Sequence, residues 1–201
     1  IPPVTLLVEL GATAPRDADP RADGSVPLIS LLETVLSDAL ETGLITDATI
    51  AQSETQRRAM WQRRELAAEI TFARSPAIDT DVALPLDKVQ DFLTQIHQRL
   101  PALDAAAETL SVAHLGDGNV HFTVFPSRDD PALYDAVVSA VEDVVQSLHG
   151  SFSAEHGVGL AKLPSMARRK DPVALDVMRQ IKAALDPANL MNPGKVIPPK
   201  C

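Results

Sequence analysis

Three histidines and a glutamate stand in two glycine-rich segments of this 201-residue chain, and their types suit metal binding and acid–base chemistry. Residues 114–121 read His-Leu-Gly-Asp-Gly-Asn-Val-His, and residues 155–159 read Glu-His-Gly-Val-Gly. Imidazole and carboxylate are ligands that catalytic zinc and similar ions favour. Imidazole also titrates near neutral pH, so it can serve as a general base. The two segments together predict a metal site with a base beside it.

The pair Asp117-Gly118 predicts the turn of a β-hairpin, because Gly tolerates a positive φ and Asp can hydrogen-bond its own backbone. If residues 116–119 form the loop, His114 stands directly opposite His121. Opposed residues of an antiparallel pair have Cβ atoms roughly 4.5–5.5 Å apart. The hairpin therefore predicts that His114 and His121 bind one ion.

Glu155 is the predicted third metal ligand, and His156 is the predicted catalytic base. Adjacent residues of a strand point to opposite faces, so both can reach the ion only if the backbone turns. Gly157 and Gly159 permit such a turn. A single histidine beside a turn is more often a solvated or capping residue, and only the combination favours a site. His97 and His149 stand on or beside predicted helices and are assigned structural roles.

Charge and composition limit the classes of partner and the compartments that suit this chain. The net charge of −9 argues against nucleic acid and anionic membranes, because phosphate binding needs clustered Lys and Arg. One cysteine, Cys201, excludes an internal disulfide framework and is compatible with a reducing compartment. No apolar run approaches the roughly 18 residues of a membrane span, and no secretory signal pattern is present. The cytoplasm is the expected location.

The elements that must position these residues follow from apolar periodicity and turn residues. Predicted strands cover residues 4–10, 45–51, 77–84, 110–115, 120–125 and 151–154. Predicted helices cover residues 28–40, 53 through at least 64, 87–100 (closed by Pro101), 130–148, 162–169 and 171–185, and an exposed loop covers 15–27. Helices that return between strands including a hairpin favour an α+β fold, with an antiparallel sheet and helices on one face.

Three motifs in order, at residues 114–121, 153–159 and 185–195, resemble the C-terminal half of FAD-linked 2-hydroxyacid dehydrogenases. That family includes D-lactate dehydrogenase, the glycolate oxidase flavoprotein subunit and D-2-hydroxyglutarate dehydrogenase. The resemblance implies two ferredoxin-like βαβ halves in one sheet: a substrate-binding domain over 1–160, with a small helical segment over 161–201 packed on it.

The resemblance also implies the activity. The chain would be the substrate-binding and catalytic half of a flavin-dependent dehydrogenase, which oxidises a 2-hydroxy acid to a 2-oxo acid with hydride transfer to FAD. A divalent metal, Zn or Mn, would be the second cofactor. The expected partners are the chain's own N-terminal FAD domain, which is absent from this sequence, and an unknown electron acceptor. The chain is thus expected to be a fragment, inactive alone. Members of the family are often dimers, so the resemblance admits a homodimer.

Two further site residues come from the resemblance. Arg64 falls where a family arginine grips the substrate carboxylate, and a bidentate guanidinium suits that task. The alternative is a solvated helix face, which is the usual role of a charged stretch. Asn192 matches a family asparagine near the flavin ring. Its alternative is a C-terminal turn, since Asn-Pro and Pro-Gly both form turns.

Departures from the family bear on the substrate. Asp79 and Ala68 replace a lysine and a threonine of the hydroxyglutarate-type members. Thr123, a predicted substrate-binding residue on the same strand face as His121, replaces an asparagine. A second substrate carboxylate would lose its anchors, so a monocarboxylic 2-hydroxy acid is favoured. Two other classes stay open: a metal-dependent hydrolase that uses the same His-His-Glu site, and a non-catalytic α+β binding or dimerisation domain.

Overall fold

The computed structural model of the protein describes residues 4–199, apart from the side chains of residues 68 and 72. The chain forms two compact units, of which the first ends at Ala67 and the second begins at Ala68. The domain boundary predicted from the sequence, between residues 160 and 161, stays a prediction. Within residues 4–199, no helix is long and apolar enough to cross a membrane.

The first unit is helical, with α1 (Pro15–Ala18), α2 (Pro27–Glu41) and the larger part of α3 (Glu54–Phe72), whose residues 68–72 belong to the second unit. Helices α2 and α3 confirm the helices predicted there, and the Ser53 hydroxyl caps α3 by accepting from the Gln56 N–H at 3.3 Å. Helix α1 lies where a loop was predicted.

The strands predicted at 4–10 and 45–51 are wrong, because neither segment is a strand in the structure. Alternating apolar residues favour a strand, but a strand also needs a neighbour whose backbone groups pair with its own. Val4, Leu6 and Val8 are 75%, 61% and 51% exposed. Residues 4–10 therefore alternate in polarity as a strand would, but they neither pack on the core nor pair with a strand.

The second unit contains the sheet. Its elements are β1 (Ile78–Ala83), a 3₁₀ turn (Leu86–Lys88), α4 (Val89–Leu103), β2 (Glu108–His114), β3 (Asn119–Phe125), α5 (Pro131–Ser147), α6 (Leu163–Arg169) and α7 (Pro172–Leu185). The strand order is β1-β3-β2, and both pairings are antiparallel. The predicted α+β class with an antiparallel sheet is confirmed.

The strand predicted at 151–154 is reduced to one antiparallel bridge, between Ser151 and Ala83. This bridge places Ser151 beyond β1, so the chain follows the β-α-β-β-α-β path of a ferredoxin-like unit. Beyond the bridge, one more backbone hydrogen bond joins the two segments, from the Ala154 N–H to the Asp81 carbonyl at 3.2 Å, and the chain then bends into the loop described below.

The core lies between one face of the sheet and helices α4 and α5. Its fully buried members are Ile78, Val82, Val120, Phe122 and Val124 on the strands, Phe92 and Ile96 on α4, and Val137, Val141, Val144 and Val145 on α5. The alternation of a strand then directs residues 79, 81, 121 and 123 to the opposite face. The fold thus separates an apolar face, which packs on helices, from a polar face.

Helix α4 continues past Pro101 to Leu103, so its predicted end at residue 100 is wrong. Proline lacks the N–H of a helical hydrogen bond, and that loss is most costly in a helix interior. At Pro101 the loss falls in the last turn. Within the same helix His97 has a structural role: its Nδ1 donates to the Leu93 carbonyl at 2.6 Å, and its Nε2 accepts from the Thr109 hydroxyl at 3.1 Å.

A buried ion-pair network joins α5 to α6. The Glu142 carboxylate is 4% exposed and lies 3.1 Å from Arg168 and 2.9 Å from Arg169. We expect Glu142→Gln to lower the free energy of unfolding by about 2 kcal/mol, because its charge-assisted hydrogen bonds are weakened while Arg169 keeps Asp143 at 2.7 Å. Chemical denaturation measures this, with the exposed Asp135→Asn on the same helix as the control. An unchanged unfolding midpoint in Glu142→Gln would contradict the prediction.

Candidate metal and acid–base site

The β2–β3 hairpin carries the first two histidines, in a register that differs from the predicted one. His114 pairs with Asn119 and His121 pairs with Val112, so the predicted direct opposition of His114 and His121 is wrong. The loop comprises residues 115–118, one position earlier than predicted. The Asp117 carboxylate accepts from the Asn119 N–H at 3.0 Å and stabilises this loop.

The two histidines nevertheless remain neighbours. The register differs by two residues, and only a shift by an odd number would move a side chain to the other face. His114 and His121 therefore lie diagonally on one face, with ring centroids 5.6 Å apart.

Glu155 stands at the centre of the three imidazoles. Its Oε1 lies 3.0 Å from His121 Nε2, 3.8 Å from His114 Nε2 and 3.8 Å from His156 Nε2. Glu155 and His156 are adjacent in sequence, yet both side chains reach the cluster because the chain bends here. Gly157 has φ +68°, a conformation that side-chain-bearing residues seldom adopt. The turn that Gly157 permits after His156 is therefore present.

Asp81 is the member of the cluster that the sequence does not predict. It lies on β1 directly opposite His121 and is buried. Its Oδ1 is 3.9 Å from His121 Nδ1. A usable signal exists in the sequence, because an acid within a buried strand is rare unless it is paired. That signal does not name the partner, which comes from a distant part of the chain.

The Asp81 carboxylate is strongly hydrogen-bonded on one oxygen only. Oδ2 accepts from the Lys162 ammonium at 2.9 Å and from the backbone N–H groups of Ala154, Glu155 and His156 at 3.1–3.2 Å. Burial alone would raise the pKa of Asp81. The hydrogen bonds from Lys162 and from the backbone outweigh burial and lower it. Asp81 is therefore an anion at neutral pH.

These side chains have the chemistry of a metal site. Ligand atoms of Asp81, His121, Glu155 and His156 all lie within 4.8 Å of one another, and His114 adjoins Glu155. Asp81 Oδ1 is buried and has no hydrogen-bond partner among residues 4–199. A mixed set of imidazole nitrogen and carboxylate oxygen suits Zn or Mn. The residues present thus fit a divalent cation.

Thr123 lies on the same face as His121 and pairs across the sheet with Asp79. Its side chain is buried, and its hydroxyl donates to Asp79 Oδ1 at 2.7 Å. Asp79 is exposed and lies on β1 two residues before Asp81, so this face of the sheet carries a second acid. The role of Thr123 in binding substrate stays a prediction.

The other two predicted site residues lie elsewhere in the chain. Arg64 is a partly exposed residue of α3 in the first unit. Asn192 has φ +46°, and its carbonyl accepts from the Lys195 N–H at 3.3 Å, so it forms a turn. Their roles toward substrate carboxylate and flavin stay predictions.

The motif at 185–195 has a structural role that centres on Asp186. Its carboxylate accepts from Lys182 on α7 and from the N–H groups of Leu190 and Met191 at 2.8 and 2.9 Å. The hydrogen bond from Lys182 is the main reason that the pKa of Asp186 falls to about 2. The Asp186 carboxylate thereby holds the backbone of Leu190 and Met191 against the end of α7.

Comparison with known proteins gives one family and several relatives. Residues 25–196 match the family model described as FAD linked oxidases, C-terminal domain. Mitochondrial D-2-hydroxyglutarate dehydrogenase of Bos taurus is 35% identical over 163 residues, which cover 81% of this chain and 30% of the bovine protein. The Rattus norvegicus enzyme of that name is 32% identical over 197 residues, covering 98% of this chain and 34% of the rat protein.

A third relative carries a different name. A putative mitochondrial D-lactate dehydrogenase of Schizosaccharomyces pombe is 31% identical over 175 residues, which cover 83% of this chain and 33% of the yeast protein. The chain thus spans about a third of the length of the curated relatives it matches.

Proposed function

The chain belongs to the FAD-linked oxidases, as their C-terminal domain, and on this premise we propose that it is the substrate-binding and catalytic half of a flavin-dependent dehydrogenase. The proposed reaction oxidises a 2-hydroxy acid to a 2-oxo acid. The observation that carries the proposal is the convergence of three imidazoles on Glu155 Oε1, at 3.0–3.8 Å, within two motifs of this family. Relatives named as D-2-hydroxyglutarate and D-lactate dehydrogenases support the substrate class.

His114, His121 and Glu155 are the proposed ligands of a divalent metal, Zn or Mn. When bound, the metal supplies a Lewis acid for the substrate carboxylate and 2-hydroxyl, and FAD, held mainly by an N-terminal domain, supplies the hydride acceptor. The chain's own contribution is to hold three ligands on two elements, the β2–β3 hairpin and the loop after Ser151. Because the hairpin is part of the sheet, two of the ligands stand on a rigid support.

His156 is the proposed general base. Its side chain is 64% exposed, so a substrate can reach it, and its Nε2 lies 3.8 Å from Glu155 Oε1. It would take the proton of the 2-hydroxyl on a ring nitrogen while the C2 hydrogen leaves as hydride. The substrate thereby loses two electrons and two hydrogens, which balances its conversion to a 2-oxo acid. An unknown acceptor then reoxidises the flavin.

The substrate class follows from charge near the site. Asp79 is an exposed acid that shares a sheet face with Asp81 and His121. A second substrate carboxylate beside Asp79 would meet like charge, so we propose a monocarboxylic 2-hydroxy acid. Arg64 is the proposed partner of the substrate carboxylate, Thr123 a further substrate contact and Asn192 a flavin contact.

Stopped-flow measurement of flavin reduction in the full-length protein tests the function. D-Lactate, glycolate and D-2-hydroxyglutarate form the panel, and metal content is measured by mass spectrometry. We expect reduction by a monocarboxylate, loss of reduction after chelation, and recovery with Zn or Mn. Absence of reduction by every 2-hydroxy acid would contradict the dehydrogenase, and equal reduction without metal would contradict the metal's role.

Two further properties, location and oligomeric state, belong to the same proposal. A cytoplasmic location is proposed for this protein, although the bovine and rat relatives are named mitochondrial. A homodimer is proposed, and size-exclusion chromatography with light scattering tests it. Family membership favours the dehydrogenase over the hydrolase and the non-catalytic binding domain.

A further inference from the structure

We propose that Asp81 is a positioning residue, which holds residues 154–156 in the bent conformation that brings Glu155 and His156 to His121. The proposal deepens the proposed function and rests on it where metal affinity is concerned. Asp81 does not itself need to touch the substrate or the ion for this role. It acts through the backbone of the loop that carries a ligand and the base.

The first step is the backbone geometry. Three consecutive N–H groups, those of Ala154, Glu155 and His156, point at the single oxygen Oδ2 of Asp81, at 3.2, 3.2 and 3.1 Å. In an extended strand consecutive N–H groups point in opposite directions, so such convergence occurs only where the chain bends. Converging N–H groups form a concavity that binds an anion. In this protein the anion is the carboxylate of Asp81.

The second step is that the bend serves the site. Adjacent side chains of an extended chain diverge, whereas here Glu155 Oε1 and His156 Nε2 lie 3.8 Å apart. Without the Asp81 carboxylate, the N–H groups of Glu155 and His156 would lose their acceptor, and the Ala154 N–H would keep only the Asp81 backbone carbonyl, at 3.2 Å. The bent conformation would then lose the bonds that favour it over an extended one.

The third step links the loop to the hairpin. Asp81 pairs with His121 across the β1–β3 ladder, so one strand pair fixes both the hairpin ligand and the anchor of the loop. Lys162 reinforces the anchor, because its ammonium donates to Asp81 Oδ2 at 2.9 Å and to the Ser153 hydroxyl at 2.8 Å. The Ser153 hydroxyl in turn donates to the Gly157 carbonyl at 3.0 Å and closes the loop.

The test combines hydrogen exchange without metal and Zn²⁺ affinity, both on the full-length protein. In Asp81→Ala we expect the amides of Glu155 and His156 to exchange about tenfold faster or more, because each loses a charge-assisted bond. The Ala154 amide should change less, because it keeps its bond to the backbone carbonyl of residue 81. We expect Zn²⁺ affinity to fall by about 10- to 100-fold, as on loss of an outer-shell partner. Formate should restore amide protection in this variant, because a small carboxylate fits the vacated position beside Lys162.

Asp104→Ala is the matched control. Asp104 is also buried, and its carboxylate accepts from the N–H groups of Ser127 and Ala106 at 2.7 and 3.1 Å. Its removal should leave both the exchange of residues 154–156 and the Zn²⁺ affinity unchanged. The control therefore separates loss of a structural carboxylate from loss of this one.

Unchanged exchange at Glu155 and His156 in Asp81→Ala would overturn the proposal. If Zn²⁺ binding is weaker in that case, Asp81 acts instead as a direct ligand through Oδ1. If the alanine variant does not fold, Asp81→Leu, which has a similar branched shape and no acceptor, is measured in its place, and wild-type exchange at Glu155 and His156 in that variant overturns the proposal. If the wild-type protein binds no metal, the proposed metal site fails, while exchange still decides the role of Asp81.

Discussion

Replacement of His156 by Ala should lower the rate of flavin reduction by about 10²- to 10⁴-fold, the usual contribution of a positioned general base. The side chain is exposed and reaches the cluster without being enclosed by it: its ring centroid lies 5.3 Å from that of His121. Its loss should therefore remove a proton acceptor without collapsing the site. Single-turnover flavin reduction in the full-length protein measures the effect, and bound metal should stay at the wild-type level.

A second histidine provides the control for this experiment. His149 is exposed at the end of α5 with φ +60°, and Asn tolerates that backbone conformation. His149→Asn should reduce flavin at the wild-type rate. Undiminished reduction in His156→Ala would remove His156 from the base role. A parallel loss of metal in that variant would instead identify His156 as a ligand.

Substitution of Gly118 by Ala should destabilise the protein by about 4 kcal/mol or more, in the range of the most severe single substitutions. Gly118 has φ +74°, and a Cβ built on it would lie 1.9 Å from the Leu84 carbonyl oxygen. No side-chain rotation relieves this contact, because both partners are fixed to the backbone. The clash would also break the hydrogen bond of 3.0 Å from the Leu84 N–H to the Gly118 carbonyl.

Gly116 in the same loop is the control. A Cβ on Gly116 meets no atom within 4 Å, and Gly116 does not have a positive φ. Gly116→Ala should therefore unfold at a denaturant concentration close to that of the wild type. Equal midpoints for the two variants would contradict the prediction. Because the Gly118 turn joins the strands that carry His114 and His121, metal affinity should fall in Gly118→Ala only.

The sequence predicted the hairpin, most of the helices and the family correctly because that information is local. The pair Asp117-Gly118 indicated a hairpin, and the structure has one, since glycine at positive φ and an Asp bonded to its own backbone act within a few residues. Helical periodicity identified α2, α4 and α5 for the same reason. Three motifs sufficed to infer the family, which the match over residues 25–196 confirms.

Strand pairing was the less predictable part. Residues 4–10 and 45–51 have strand-like patterns but no strand, because a pattern specifies a face and not a partner. The hairpin register was mispredicted by two residues for a related reason: several loops satisfy the same turn residues. The prediction that His114 and His121 share a face is confirmed, because it depends only on the alternation of side chains along a strand.

The sequence by itself determined the residue types of the site, the hairpin that joins two histidines and the family. Only the tertiary structure revealed Asp81, whose hydrogen bonds reach across 73–81 positions to residues 154–156 and Lys162. Contacts at that separation depend on sheet register and on how a loop folds over it. No local pattern encodes either one, so the carboxylate beneath the loop becomes visible only when β1 and the Glu155 segment meet.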